Sequence, residues 1–472
     1  MSGREPTDRP VQDKPIPVSR VRRSAMLGGL AAEQATRYAG TRAANLARAP
    51  AARRVALDER HVQAAEQILA VLGTMKGPAM KLGQMMSFLD LGLLPRRVRP
   101  GFQATLATLC AAAPELPWAR LEPVLTANLG RPVAQAFAEF DTTPIAAASI
   151  GQVYRAQTRD GRDVAVKVQY PRIVAAARAD LKNLAMLLRL GKRFAPNLDM
   201  EALGSELTAR MTDELDYARE AAHQRRLAAL YDGHPFVVVP KTVDELCTSQ
   251  VLVTEYVAGA DFGEICTRDQ DVRDRVGEIA YRFYLGTPLS ARHFSGDPHP
   301  GNLLLCDDGR VAFVDFGLCV QLRSTVAESL LAGLRAAAEG RGDDVVALLT
   351  AEHVLDRNAA VAPQAVLEYL AGVAGWLITD ESIQVTPRMA TVAIARSVLP
   401  SGKHAEFLRA QRLPPEHMLF LRTVVATLGL LGQLGARANW HRIGREWVYD
   451  DVPATPLGEA AGEFARHSRR AP

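Results

Sequence analysis

The 472-residue sequence lacks the patterns of several protein classes. Its five cysteines are scattered, odd in number and without a C-x-x-C pair, so reduced thiols are expected rather than a disulfide framework or a zinc site. The first sixty residues contain no apolar segment of a secretory signal, and early acidic residues disfavour a transit peptide. The net charge is only +4, which gives no reason to expect nucleic-acid binding.

Long uninterrupted hydrophobic runs are also absent. The most apolar stretch, Met418 to Leu434, contains Arg422, Thr423, Thr427 and Gln433, which is more typical of a buried core helix than of a membrane span. With 48% hydrophobic and 23% charged residues, the composition is that of a globular protein. The length is sufficient for two or three lobes, each with its own core.

The most informative stretch runs from His293 to Gly317. Asp297 is followed five residues later by Asn302 and, thirteen residues after that, by Asp315 in an Asp-Phe-Gly sequence. Two short apolar runs separated by Asp-Asp-Gly predict a β-hairpin with Asn302 at its start and Asp315 at its end. Their side-chain oxygens would meet there and suit Mg²⁺ bridging to phosphate. Asp297 would orient or deprotonate an attacking hydroxyl, as in a kinase catalytic loop.

The Asp-Phe-Gly tripeptide alone is weak evidence, because a second copy occurs at residues 261–263. No D-x-x-x-x-N precedes that copy, so we interpret it as an unrelated loop. The complete array over residues 293–317 is far more specific. The alternative for that array is an ordinary surface hairpin with solvated carboxylates.

A lysine stands inside a β-branched run, Asp163-Val164-Ala165-Val166-Lys167-Val168. Such a charge is costly unless it is paired, and V-A-V-K is typical of the kinase strand whose lysine contacts nucleotide phosphates. The turn before it, within residues 144–150, is rich in alanine and not in glycine, so its backbone is more restricted. The strand at 252–257 ends in small residues, as expected for a hinge that binds an adenine.

A long helix is predicted from Glu201 to Leu230. Asp213, Asp216 and Glu220 would share one face at i, i+3 and i+7. Like charges on one helix face repel each other, so this acidic stripe is expected to pair with cations. Glu214 would point about 120° away from Glu220, toward a different partner. Nearby arginines that simply balance the charge are the alternative.

Three regions flank these motifs. Residues 1–56 are rich in proline and then in arginine, and they form either a solvated tail or a segment that touches an anionic membrane surface. Residues 57–140 have a helical pattern in which Lys81 and Gln84 share one face; a surface lysine beside a methionine-rich core is the alternative. Residues 451–472 are expected to be a flexible tail.

Together these motifs resemble the AarF/UbiB family of atypical kinases. The resemblance covers about residues 60–440, and two of its motifs, K-L-G-Q and A-A-A-S-I-G-Q-V-Y, are absent from ordinary protein kinases. The matching sequences are K-L-G-Q (81–84), A-A-A-S-I-G-Q-V-Y (146–154), V-A-V-K-V-Q-Y-P (164–171), E-L-D-Y-A-R-E-A (214–221), G-D-P-H-P-G-N (296–302) and V-D-F-G (314–317).

The resemblance implies an α+β, bilobal, protein-kinase-like fold. A small antiparallel-sheet N-lobe is expected at residues 141–258 and a mainly helical C-lobe at residues 259–450. The helical extension at residues 57–140 would lie over the cleft.

The resemblance also implies roles for particular residues. Asp297 would be the catalytic aspartate, and Asn302 and Asp315 would hold Mg²⁺. Lys167 would contact the phosphates of ATP and pair with Glu220. The remaining nucleotide-binding residues would be Ala146, Ala147, Ala148, Ser149, Ile150, Val153, Ala165, Glu255 and Val257.

In the same comparison, Lys81 and Gln84 of the extension would reach the active site and meet Glu214 and Asp216. The extension would then occupy the place where a protein substrate docks. The implied activity is therefore Mg²⁺-dependent ATP hydrolysis or phosphoryl transfer in isoprenoid-quinone or lipid metabolism, with ATP and a lipid or quinone precursor as ligands. A cytoplasmic protein with peripheral contact to the inner face of an anionic membrane is expected.

Two other functions fit the same motifs. A nucleotide-gated scaffold with negligible turnover is favoured by the alanine-rich turn and by the extension that covers the cleft, whereas the intact Asp297, Asn302 and Asp315 argue against it. A small-molecule phosphotransferase of the aminoglycoside type also uses G-D-x-x-x-x-N, although the extension and the alanine-rich turn disfavour it. Many bacterial members of the family end in membrane-spanning helices, and no convincing one is recognised here.

Overall fold

The computed structural model describes residues 115–148, 150–175, 215–398, 405–412 and 414–468. Within these residues the chain divides into two compact units according to its internal contacts. The first unit contains the described residues up to 219 together with 242–256, and the second contains 220–241 together with 257–468.

The first unit is built on a four-stranded antiparallel sheet with the strand order β1-β2-β3-β5. Its elements are α1 (Trp118–Leu129), α2 (Val133–Ala136), β1 (Phe137–Ala147), β2 (Gly151–Thr158), β3 (Asp163–Gln169) and β5 (Val251–Glu255). On β3, Val164, Val166 and Val168 are fully buried, because successive side chains of a strand point to opposite faces and these three share one. Lys167 lies on the other face.

The sheet begins before the expected boundary at residue 141. β1 starts at Phe137, and the ring of Trp118 in α1 lies 5.1 Å from that of Tyr154 on β2. Tyr154 is completely buried. Residues from 118 onward, which the sequence assigned to the helical extension, therefore pack on the sheet of the first unit.

The helix predicted at residues 201–230 is described only from its second half. α3 (Tyr217–Leu230) begins at Tyr217, and the carboxylate of Asp216 accepts a hydrogen bond from the backbone N–H of Ala218 at 3.0 Å. Asp216 therefore precedes the helix and caps its backbone. The predicted stripe is wrong in placing Asp216 inside a continuous helix with Glu220, while Asp213 and Glu214 lie outside the described residues.

The second unit is mainly helical, with three small sheets of order β4-β8-β7, β6-β9 and β10-β11. Its strands are β4 (Val237–Val238), β6 (His293–Ser295), β7 (Leu303–Leu305), β8 (Val311–Phe313), β9 (Cys319–Gln321), β10 (Ile383–Gln384) and β11 (Arg437–Ala438). Its helices after α3 are α4 (Phe262–Cys266), α5 (Gln270–Tyr281), α6 (Thr287–Ser290), α7 (Ser324–Ala338), α8 (Gly342–Ala351), α9 (Pro363–Ile378), α10 (Pro387–Val398), α11 (Ala405–Ala410), α12 (Pro415–Leu434), α13 (Trp440–Val448) and α14 (Pro456–Ser468).

The helix α12 lies in the core of the second unit. Among the described residues, its stretch Glu416–Leu434 is long and apolar enough to cross a membrane, and 61% of its apolar window is buried inside the protein. Phe420, Val424, Leu428 and Leu431 belong to the largest hydrophobic cluster. The prediction of a buried core helix at Met418 to Leu434 is confirmed.

Part of the expected flexible tail at residues 451–472 is instead the helix α14. Leu457 is buried, and the ring of Phe464 lies 4.7 Å from that of His234. These two apolar side chains, separated by two helical turns, supply the packing that a solvated tail lacks. They stand among alanine, glycine and arginine residues, a composition that is typical of a tail.

Candidate active site

The hairpin predicted at residues 303–314 is present in the second unit. β7 and β8 are antiparallel, with Leu303 opposite Phe313, and the turn contains Gly309 with a positive φ of 79°. At the open end, the N–H of Val314 donates to the carbonyl of Asn302 at 3.1 Å. Asn302 and Asp315 therefore lie at the same end of the hairpin, as the spacing predicts.

Asp297 follows β6 and is held by two groups that come later in the chain. Its Oδ1 accepts a hydrogen bond from Nη2 of Arg422 at 3.1 Å, and the two side chains are 23% and 18% exposed. Its carbonyl accepts from the amide nitrogen of Asn302 at 3.2 Å. This bond fixes the Asn302 side chain and makes the amide oxygen its remaining ligand atom for a cation.

Asp315 is oriented by its own loop. Its Oδ1 accepts a hydrogen bond from the N–H of Gly317 at 3.0 Å, and its carbonyl lies 3.5 Å from the hydroxyl of Ser295. A Cβ at Gly317 would lie 3.4 Å from Oδ1 of Asp315 and 3.6 Å from Oε2 of Glu220. The carboxylate of Glu220, on the buried side of α3, therefore reaches the Asp315 loop.

Negatively charged side chains surround this loop. Burial raises the pKa of the Cys319 thiol, and the charges of Asp315 and Glu220 raise it further. Burial likewise raises the pKa of Tyr284, with added contributions from Asp297 and Asp315. Burial alone disfavours charge of either sign, but the contributions of Asp297, Asp315 and Glu220 come from their negative charges, which would attract a cation.

The available ligands suit Mg²⁺ better than a metal ion whose ligands all come from the protein. Among the described residues, no group of three or more His, Cys, Asp and Glu side chains forms a metal site. Asn302 and Asp315 offer two oxygen ligands, and Mg²⁺ is commonly held by one or two carboxylates while water and substrate phosphates complete its octahedron.

Lys167 is centrally placed in the sheet of the first unit. It is paired with Val153 on β2 and with Leu252 on β5, so neighbouring strands fix its position on both sides. Its Nζ lies 5.0 Å from the centre of the ring of Tyr217, a cation–π distance. Tyr217 is fully buried. Nothing in the sequence pattern indicated that its ring would lie beside Lys167.

The alanine-rich turn connects β1 and β2 tightly. Ala146 and Ala147 pair with Val153 and Gln152, and the N–H of Ala148 donates to the carbonyl of Gly151 at 2.8 Å. Ile150 is buried, and Ala165 lies opposite Arg155 on β2.

Gly151 is the residue of this turn that sequence analysis missed. A Cβ there would lie 2.3 Å from the carbonyl oxygen of Val168 and 2.8 Å from the hydroxyl of Tyr217. Both distances are too short for any side chain, so the close approach of β3 and Tyr217 to this turn requires glycine.

The predicted hinge residues stand at the end of β5 and beyond it. Glu255 pairs with Val164, and the N–H of Tyr256 donates to the carbonyl of Asp163 at 3.0 Å. Val257 starts the next segment of the second unit. Four predicted site residues lie outside the described residues: Lys81, Gln84, Ser149 and Glu214.

The aspartate of the second Asp-Phe-Gly copy has a local role. Asp261 is the N-cap of α4, where its side chain accepts from the N–H of Glu264 at 2.9 Å, and the Glu264 side chain accepts in return from the N–H of Asp261 at 3.3 Å. This reciprocal pair is a capping box. The interpretation that this copy is unrelated to the site is supported, although it begins a helix and is not a simple loop.

A mixed α+β chain, with an antiparallel sheet carrying the lysine and a helical unit carrying Asp297, Asn302 and Asp315, defines a protein-kinase-like fold. The comparisons identify the family. Residues 108–348 match the model of the ABC1 atypical kinase-like domain, and the chain belongs to this family.

Relatives of known name agree. The chain is 32% identical over 283 residues to "Atypical kinase COQ8B, mitochondrial" of Rattus norvegicus, covering 60% of this chain and 53% of that protein. It is 34% identical over 289 residues to "Protein ACTIVITY OF BC1 COMPLEX KINASE 8, chloroplastic" of Arabidopsis thaliana, covering 59% and 37%. The chain thus spans about half of the rat protein's length.

A solved structure is similar over most of the chain. The Rv3197–erythromycin complex from Mycobacterium tuberculosis superposes with a TM-score of 0.61 at 30% sequence identity, covering 84% of this chain and 97% of that one. Membership of an atypical kinase family supports an enzyme of the kinase or ATPase type.

Proposed function

We propose that this chain binds ATP with Mg²⁺ and hydrolyses it, or transfers its γ-phosphoryl group to a non-protein acceptor. The observation that carries this proposal is the placement of Asn302 and Asp315 at one end of the β7–β8 hairpin, with Asp297 hydrogen-bonded to Asn302. Phosphoryl transfer depends mainly on positioning and on neutralisation of charge.

In this proposal Asn302 and Asp315 hold Mg²⁺ through their oxygens. When bound, the ion would neutralise charge on the phosphates. Glu220 adds negative charge beside Asp315, which favours the cation.

Asp297 orients the attacking hydroxyl of water or of an acceptor. Its Oδ1 is engaged by Arg422, so Oδ2 is the oxygen that would accept the hydrogen bond from the nucleophile. The ion pair prevents the carboxylate from rotating, and a fixed orientation is what a near-attack geometry needs.

Lys167 serves the nucleotide from the first unit by contacting its phosphates, and the alanine-rich turn at 146–150 covers them. Pairing of Lys167 with Glu220 and the roles of Lys81, Gln84 and Glu214 remain predictions from the family resemblance. So do the adenine contacts of Glu255 and Val257.

The acceptor and pathway proposed are those of isoprenoid-quinone or lipid metabolism. The resemblance to AarF/UbiB kinases and the similarity to a protein named COQ8B support this proposal. A peripheral contact with anionic membranes through the basic residues of 1–56 belongs to the same proposal.

The test measures ATP binding and ATP hydrolysis by the whole chain, with and without Mg²⁺ and anionic liposomes. The variants are Asp297→Asn and Asp315→Asn, and Asp261→Asn is the matched control because it alters the other Asp-Phe-Gly copy. We expect Asp315→Asn to lose Mg²⁺-dependent ATP binding and Asp297→Asn to bind ATP but lose turnover. The control should behave as wild type in both assays.

The same experiment separates the scaffold from the enzyme. The Arg422–Asp297 ion pair favours the scaffold in one respect, since it occupies an oxygen of the catalytic aspartate. Tight Mg²⁺–ATP binding with no turnover in wild type, with or without liposomes, would establish the scaffold. ATP binding that is unchanged in Asp315→Asn would contradict the proposed metal site.

A further inference from the structure

The second unit contains a cavity that the proposed ATP chemistry does not use. Its volume is about 220 Å³, and it is lined almost entirely by apolar side chains of helices α7, α8, α9, α12 and α13. The main apolar lining residues are Leu330, Leu334, Leu349, Leu377, Phe420 and Trp447. An apolar cavity of about 150 Å³ stays dry and binds benzene, so this one has room for a larger hydrocarbon of about nine non-hydrogen atoms.

Most polar groups on the cavity wall are already engaged. The hydroxyl of Tyr281 donates to the carbonyl of Trp440 at 3.0 Å, and Nε of Arg445 donates to Asp451 at 2.5 Å. Nδ1 of His441 lies 3.0 Å from the carbonyl of Leu377. These side chains therefore present mainly their carbon atoms to a ligand.

His417 and Glu352 differ from the other polar groups. Both line the cavity, and their side chains are only 9% and 19% exposed. Nε2 of His417 stands 3.9 Å from Oε2 of Glu352, which is too long for a direct hydrogen bond. Nδ1 of His417 is buried and has no hydrogen-bond partner among the described residues.

A hydroxyl group would bridge Nε2 of His417 and Oε2 of Glu352, which stand 3.9 Å apart. Burial lowers the pKa of His417, so the imidazole is neutral at pH 7, and the neighbouring carboxylate favours the proton on Nε2. One oxygen between the two side chains would accept from Nε2–H and donate to Glu352, which only a group that both donates and accepts can do. A carbonyl cannot donate, and an anion would be repelled by Glu352.

We propose that this cavity binds a neutral alcohol of about nine non-hydrogen atoms, cyclic or branched, with its hydroxyl between His417 and Glu352. The apolar body fills the space between α7 and α12. This binding site is separate from the residues assigned to ATP, and it does not depend on the proposed function.

The first test compares two probes on the whole chain by isothermal titration calorimetry without nucleotide: cyclohexylmethanol and methylcyclohexane. They differ by the hydroxymethyl oxygen alone. We expect cyclohexylmethanol to bind about tenfold more tightly, the gain of a hydrogen bond to a buried charged group. His417→Phe removes one of the two hydrogen bonds of the hydroxyl and leaves the one to Glu352, so the preference for cyclohexylmethanol should fall about threefold. A wild-type protein that binds neither probe, or a preference that His417→Phe leaves intact, would overturn the proposal.

The second test fills the cavity. Gly333 on α7 lines it, and a Cβ there would meet no atom within 4 Å, so Gly333→Phe adds a ring to the cavity wall at a position where the Cβ itself has room. We expect Gly333→Phe to lose binding of both probes, while Gly333→Ala retains it. Gly375→Phe places the same ring in open space on α9 outside this cavity and should bind as wild type.

Thermal unfolding of each variant shows whether it is folded. The test with His417→Phe and the test with Gly333→Phe are independent of each other. If one of these variants does not fold, the other test still decides. Equal probe affinity in Gly333→Phe and wild type would mean that the ligands bind elsewhere and would refute the site.

Discussion

The chain contains the same tripeptide twice, at 261–263 and at 315–317, and the structure uses each copy differently. In both, the phenylalanine joins the largest core cluster and the aspartate accepts a backbone hydrogen bond from a residue shortly after it. Asp261 closes a capping box with Glu264, whereas Asp315 stands beside Glu220 and across a hairpin end from Asn302. The neighbours supplied by the fold, and not the Asp-Phe-Gly sequence itself, distinguish the helix cap from the proposed metal ligand.

Among the changes that test the difference between the two copies, loss of Asp315 should have the largest effect, on Mg²⁺-dependent ATP binding. Replacement by asparagine removes a charged ligand, and we expect Mg²⁺-dependent ATP affinity to fall at least ~100-fold, more than is usual for supporting residues of a metal site. Asp261→Asn should leave the affinity unchanged. Titration calorimetry with Mg²⁺–ATP measures both, and equal losses in the two variants would mean that neither copy is specific to the metal.

The two phenylalanines should differ in stability. Phe316 is completely buried and Phe262 is 9% exposed at the start of a short helix. We expect Phe316→Ala to lower the free energy of unfolding by about 3–5 kcal/mol, and Phe262→Ala by about 1–2 kcal/mol less. Urea unfolding of the two variants gives the difference. A larger loss for Phe262→Ala would show that the first copy is the more important to the core.

Acid should destabilise the protein through a histidine that lies close in sequence to the copy at 315–317. His293 opens the stretch that leads to Asp315, and burial, together with the charges of His223 and Arg226, lowers its pKa to about 4. Between pH 6.5 and 4 the unfolded chain binds more protons than the folded one, so stability falls as pH falls, on the order of 2 kcal/mol per such histidine between pH 7 and pH 5.

His234 has the same lowered pKa, again mainly through burial. The pKa of His417 is also lowered by burial, so replacement of His293 by asparagine should remove part, not all, of the pH dependence measured by urea unfolding, although the variant is less stable at pH 7. His467, exposed on α14, is the matched control, and His467→Asn should keep the full slope. An unchanged slope in His293→Asn would exclude this histidine as its source.

Loss of the cap at the first copy should have the smallest effect. Asp261→Ala removes the acceptor for the N–H of Glu264 and should cost about 1 kcal/mol of stability, whereas asparagine, also a good N-cap, should cost close to nothing. ATP binding should be unaffected by either change. A loss of ATP binding in Asp261→Ala alone would connect the first copy to the site.

The parts of the site that the sequence predicted are those set by local pattern. The hairpin, the positions of Asn302 and Asp315 and the strand of Lys167 all follow from runs of fewer than fifteen residues. Turn residues and alternation act over that range, so they are readable without the fold.

The parts that were missed depend on residues far apart in the chain. Arg422 contacts Asp297 across 125 positions, and Gly151 is required because β3 and Tyr217 come close to it. The sequence also extended the helix through Asp216, because spacing alone does not show that a carboxylate caps a backbone N–H instead of standing on a helical face. No periodicity encodes such contacts.

The position of Arg422 has a consequence for how the protein is made. The family match ends at residue 348, yet the arginine that holds Asp297 arrives on α12, more than seventy residues later. When Asp297 leaves the ribosome, its partner Arg422 has not yet been synthesised. The side chain of Asp297 therefore lacks this ion pair until α12 emerges. A fragment cut at the end of the family match would remain in that immature state, with the core positions of α12 empty.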